Sequence, residues 1–483
     1  VNQGTETVAI GDEAGKTNQG NNAYASGNNA GQTDQGASSV AIGDIAGALT
    51  QGTLSVAVGS SSGYTGQGTR ATAVGVGTGW TDQGAGATAI GGNAGADQQG
   101  ASAVAIGDEA GLTSQGGDAV AIGTGAGLTT QATNAVAIGT RAGEISQLAY
   151  AIAIGDYAGK SAQSGAAVAI GRNSGKVSQG NKAIAIGESS GGTNQGSDGI
   201  AIGFNSAGFF QGQDAIALGR REGGTRQGTK GIAIGYEAAL GTTVNATYVS
   251  GNVVDSSLVV NDVTGIEIGM RVSGQGYVES IGVDFYVISV DANTNTVALN
   301  TAATSQPSGT LTFTNGQGAD SVAIGTSAGS VLQGIAAVAV GNNTGNIYQG
   351  ASSVAIGNNA GKYQQDTKAV SIGINAGENR QGSQSIAIGD YAARGETETV
   401  TYTSGGNNGT NLVVDVTTGL AVGMYVQDAG YGHDADITIT AIIDLYTLTM
   451  SADWTSPPGA TLTFITGQSP RSVAIGASAG RVL

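Results

Sequence analysis

Cysteine is absent from this chain of 483 residues, so neither a disulfide framework nor a thiolate metal site can hold it together. Proline occurs only 4 times and histidine once, and aromatic residues make up 5% of the sequence. No run of 18 apolar residues is present, which excludes a helix that spans a bilayer. Charge is also scarce, at 11% of residues. It is mostly of one sign: 35 Asp and Glu against 18 Lys and Arg give a net charge of −17. Phosphate recognition needs clustered cations, so nucleic acid is not an expected partner. The hydrophobic fraction of 40% argues against plain disorder.

What the chain has in excess is glycine, 86 residues of it, placed at a fixed period. The stretch Ser39-Val40-Ala41-Ile42-Gly43 and its continuation to Gln51-Gly52 returns every 16 residues. The Gly that closes the apolar triplet falls at 11, 27, 43, 59 and onward without a slip to 235, again from 325 to 389, and once more at 476. Self-similarity at a fixed period is the signature of a solenoid. The predicted fold is all-β: a parallel β-solenoid, or β-roll, of 16-residue rungs, with two inserted small antiparallel β modules. Stacking 21 rungs at ~4.8 Å gives a rod of roughly 100 Å.

The columns of the repeat carry separate expectations. Side chains alternate along a strand, so Val40 and Ile42 are expected to share one face and Ala41 the other. The apolar seam of Val and Ile is expected inside the coil. The middle position never exceeds a methyl or hydroxymethyl group, as where a backbone comes close. Ala41, Ala57, Ala105, Ala121, Ala137, Ala153, Ala169 and Ala185 are therefore candidates for an interface between chains, with three-fold packing. A thin, glycine-rich coil looks under-cored alone, which favours such association. The second recurring column is Gln19, Gln35, Gln51, Gln67, Gln83, Gln99 and Gln115, continuing along the chain. A side-chain amide both donates and accepts, so stacked Gln is expected to bond from rung to rung as an amide ladder.

Two interruptions divide the chain. Rungs are expected over 1–240, 317–393 and 468–483, with inserted modules at 241–316 and 394–467. Both inserts leave after an Ala pair, Ala238-Ala239 and Ala392-Ala393, and both re-enter at the Gln column, at Gln317 and Gln468. The solenoid is therefore expected to close over each in register. The inserts resemble each other, for example in Gly269-Met270 and Gly423-Met424. Their alternating apolar runs read as antiparallel strands of a small sandwich or barrel. They hold many of the bulky aromatics, so Tyr277, Phe285, Tyr425, Tyr431 and Trp454 form a candidate recognition surface. The chain starts and stops inside a repeat, as a segment of a longer protein would.

The strings Asn134-Ala135-Val136-Ala137-Ile138-Gly139 and Ser321-Val322-Ala323-Ile324-Gly325 resemble the head repeats of trimeric autotransporter adhesins of the YadA type. Similar repeats occur in fibre proteins of bacteriophages and large viruses. The resemblance implies a β-roll assembled as a homotrimer, extracellular, with a host-surface glycan or protein as receptor. The chain departs from the adhesins in its 16-residue period and its Gln-Gly column, and no neck, stalk or membrane barrel is seen in it. That shifts the expectation toward a virion fibre of phage-tail type serving host attachment. The alternative is a bacterial surface adhesin or extracellular filament subunit. No enzyme, cofactor or metal is expected. His433 stands alone, and Asp12, Asp44, Asp108, Asp156 and Asp390 share their column with Asn28, Thr124, Arg172 and Phe204, so they form no regular calcium ladder.

Overall fold

A computed structural model describes residues 2–224, 226–241 and 316–395, together with a last coil over 468 and 471–479. Within the two inserted segments it describes 243–252, 256–264, 266, 270–275, 287–291, 294–299, 308–314, 397–405, 411–415, 417, 420–421, 424–427, 438–444, 446–451 and 461–466. The chain divides into two compact units, Val1–Arg221 and Glu222–Leu483.

In the first unit every 16-residue repeat makes one coil of a parallel β-solenoid. Its short strands, from Val8–Ile10 to Ile216–Arg220, pair in register with the same residues of the next coil: Val104 with Val120, Ala105 with Ala121, Ile106 with Ile122. A second short strand such as Thr113–Gln115 forms the opposite wall and pairs likewise, Gln115 with Gln131. Three-residue strands suffice because each is one step of a ladder, and β-branched residues suit the pleated wall.

Glycine sits where the coil turns. Gly107 has φ 129°, and a Cβ there would lie 2.8 Å from the backbone carbon of Gly123 in the next coil. Gly111 has φ 54°, and a Cβ would stand 2.7 Å from Oε1 of Gln115. The first glycine lets coils stack, and the second leaves room for the Gln side chain.

Other left-handed positions carry side chains. The residue two beyond the strand Gly is often Asn, which tolerates this conformation: Asn29, Asn93 and Asn173 have φ 54°, 51° and 56°. Ile45 occupies the same position with φ 52°, where a β-branched residue is strained. Ile45→Asn is expected to stabilise its coil by about 1 kcal/mol. Slower amide exchange in the neighbouring coils would register the gain, and unchanged or faster exchange would refute it.

The second unit repeats the coil with two interruptions. Ile232–Tyr236 pairs in parallel register with Val322–Ile324, and Gln317 Nε2 donates to the Ile232 carbonyl 85 residues back at 2.7 Å. Ile386–Ile388 pairs with Val473–Ile475 in the same way. Each insert is an antiparallel six-stranded arrangement. In the first, the long strand Thr243–Asn252 pairs with Ser308–Thr314 through residues 243–247. Beyond a bulge near Tyr248 it pairs with Ser257–Val260. Leu258, Val297, Leu299, Leu311 and Phe313 lie in its core. The second insert places Leu412, Leu448, Met450, Leu462 and Phe464 correspondingly. The two modules thus share strand order and core.

Candidate functional site: the outer apolar face

The interior of the coil is built from methyl groups and amides. Ala41, Ala57, Ala105, Ala121, Ala137, Ala153, Ala169 and Ala185 are all 0% exposed within the single chain. Their methyls stack against one another and against a second Ala column across the coil, which includes Ala110, Ala126 and Ala142. This corrects the expectation that the Ala column lies between chains. The strand alternates as expected, but with its phase inverted. In the strand triplet the small residue points into the narrow coil and the two β-branched ones point out.

The Gln column also lies inside. Each Gln Nε2 donates to the carbonyl of the first strand residue across its own coil, as Gln115 does to Val104 at 2.9 Å. It also donates to Oε1 of the next Gln: Gln99 to Gln115 and Gln115 to Gln131, each at 3.1 Å. In the first unit this chain of amides begins with the bond from Gln51 to Gln67, at 3.0 Å, and reaches Gln211. Gln67 and Gln83 lie on it. Gln19 and Gln35 donate to main-chain carbonyls and to no following Gln: Gln19 to Val8 and Ala23, Gln35 to Tyr24. The cross-coil strut was not foreseen from sequence. Its signal was the constant spacing of 11 residues between the first strand residue and the Gln.

Turning the alternation inside out leaves the Val and Ile columns on the surface. Over eight consecutive strands, from Val104–Ile106 to Ile216–Arg220, both outward positions are Val, Ile or Leu. They are half-buried only by their neighbours along the sheet, and Ile154, Ile170 and Ile202 remain 36%, 36% and 38% exposed. Soluble monomers rarely show contiguous apolar patches above a few hundred Å². Parallel sheets, moreover, are almost always covered on both faces. Here the inner face is covered by the coil itself and the outer face is bare in one chain.

Elsewhere the surface is sparsely charged and carries scattered exposed apolar residues such as Leu54, Val76, Tyr150 and Phe209. Glu144 lies between Lys160 Nζ at 3.5 Å and Arg141 at 3.9 Å, and both cations approach the Tyr157 ring. Tyr64 and Trp80 stack at 6.2 Å between adjacent coils. In the second module the backbone N–H of Tyr446 donates to Asp444 and holds its carboxyl below the usual range. Tyr277, Phe285, Tyr431, Trp454 and His433 lie outside the described residues; Tyr425 is described only as part of the strand Tyr425–Gln427. Among the described residues no group of three or more His, Asp or Glu is placed to hold a metal ion. No protein-family model matches the chain, and neither a curated protein nor a solved structure is significantly similar to it.

Proposed function

We propose that this chain is a structural subunit of an elongated extracellular fibre, of the virion type that serves host attachment. In this reading copies lie parallel, three around an axis, and cover one another's Val/Ile faces. The observation that carries the reading is the bare apolar face of a parallel sheet, repeated at the coil spacing in the first unit. A surface with that periodicity is best matched by a second surface of the same periodicity, which is another copy of the chain. Covering the remaining third of each Ile contributes ~1 kcal/mol. Summed along eight strands this is about 8 kcal/mol, of the same order as the roughly 4–15 kcal/mol that association costs. The number three and the virion setting come from the resemblance of the repeat strings to known fibre and adhesin heads.

Sedimentation equilibrium of the full chain tests the assembly. The wild type is expected at three times the chain mass. Ile154→Lys with Ile170→Lys places two charges in the middle of the face without touching the interior, and is expected to sediment as a monomer with an unchanged β spectrum. A monomeric wild type, or a double variant that still assembles, would overturn the reading.

A further inference from the structure

We infer that a hollow on the first unit, spanning three successive coils, binds a single pyranose residue of a polysaccharide. The inference deepens the attachment reading by giving a ligand class to the same rod, but its test does not depend on assembly. The hollow measures about 240 Å³ and arises from two local departures from the repeat. Five residues beyond the strand Gly, most coils carry a side chain that fills this corner, among them Tyr64, Trp80, Leu112, Leu128 and Lys160. Gly192, Gly208 and Gly224 carry no side chain there in three consecutive coils, and the first two line the hollow.

The second departure is Ala207, which stands where preceding coils have the turn glycine. At the equivalent Gly191 a Cβ would lie 2.6 Å from Gln195 Oε1 and 3.0 Å from the Ala185 methyl. Ala207 nonetheless keeps φ 47°. The wall next to it opens. Neighbouring coils pair at two points, Val177 with Thr193 and Gln179 with Gln195, whereas the next pair keeps only Gln195 with Gln211. Val177 N–H reaches the Gly192 carbonyl at 3.1 Å, and the corresponding bond from Thr193 to Gly208 is not formed. A main-chain donor and a main-chain acceptor are thereby released from the ladder at two residues that line the hollow, and such groups need partners.

The remaining lining suits a sugar. Phe209 is 57% exposed and offers a ring face to the C–H side of a pyranose. Asn173 and Asn205 bring amides, Ser189 and Thr193 hydroxyls, and Lys176 an ammonium group. Few convergent polar groups around an apolar surface are the usual make-up of a small-molecule site. A ring hydroxyl both donates and accepts, as these amides and hydroxyls do. The chain's net charge of −17 disfavours a polyanion such as nucleic acid.

Saturation-transfer NMR on the full chain is the test, with the methyl glycosides of glucose, galactose, mannose and N-acetylglucosamine as probes. At least one is expected to bind with Kd on the order of 1 mM, as a shallow single-residue site allows. Phe209→Ala removes the ring platform and is expected to weaken that binding at least tenfold. Thr193→Trp fills the hollow and is expected to abolish it. Both variants should keep the wild-type sedimentation mass, which separates this site from the assembly face. No transfer to any glycoside in the wild type, or equal transfer in both variants, would overturn the inference.

Discussion

Ala121→Leu is expected to unfold the coils around residue 121, and not to separate one chain from another. The Ala121 methyl is 0% exposed and packs with Ala105, Ala110, Ala126 and Ala137. Across the coil, even a methyl added to Gly127 would come within 3.3 Å of it. Three further carbons have no rotamer that avoids both walls, and the walls are backbone ladders that cannot move apart singly. Overpacking a well-filled core commonly costs 1–3 kcal/mol, and a site bounded by backbone should reach about 3 kcal/mol or more. Stability in a solenoid is shared between neighbours, so the loss should spread over several coils. Ala121→Ser is the control. The same column already holds Ser371, whose hydroxyl accepts from Gln365 Nε2 at 3.1 Å and donates to Gln381 Oε1. The Ser variant should therefore melt close to the wild type. Amide exchange of residues 104–138 and the thermal melt decide the matter. A Leu variant with a wild-type melt and a reduced oligomer mass would restore the Ala column to the interface between chains.

The period, the strand triplet and the turn glycines were legible because each repeats and each has one physical cause. A one-residue slip in a strand reverses both faces, and the repeat does not say which face is inner. Val and Ile are the stronger apolar residues, so reading them as core followed the ordinary rule. What overrides that rule is width. Gly111 makes room for Gln115, and Gln115 spans the coil to Val104, which leaves space in the Ala column for a methyl or a hydroxymethyl group, as at Ser371. The invariance of the Gln was visible, and so was its capacity for an amide ladder. Its strut to the opposite strand depends on how far apart the walls stand, which no column of the repeat encodes. The re-entry of the chain at Gln317 and Gln468 was readable from register alone, because a solenoid admits only whole coils. The hollow at Phe209 was not, since it depends on a paired bond that Ala207 prevents from forming.

Gln115→Leu should then be among the most destabilising substitutions that preserve side-chain volume. The wild-type amide donates to the Val104 carbonyl at 2.9 Å and to Gln131 at 3.1 Å, and accepts from Gln99 at 3.1 Å. Leucine leaves the Val104 carbonyl and two neighbouring amides short of a partner in a space closed to water. Each buried group so stranded costs about 1–3 kcal/mol, so a total near 4 kcal/mol is expected. Gln115→Ala adds a cavity and should cost more. Gln115→Glu gives a signature of its own. A carboxyl buried among methyls titrates above its ordinary range, so the folded form binds the proton more tightly than the unfolded chain. That variant should be most stable at acidic pH and lose stability as pH rises through the raised value. Position supplies the sharpest comparison. Gln35 bonds to Tyr24 and donates to no following Gln, so Gln35→Leu should cost clearly less than Gln115→Leu. If urea midpoints and local amide exchange show the two substitutions to be equally harmful, the rung-to-rung amide bonds add nothing, and the strut across each coil is all that the Gln column provides.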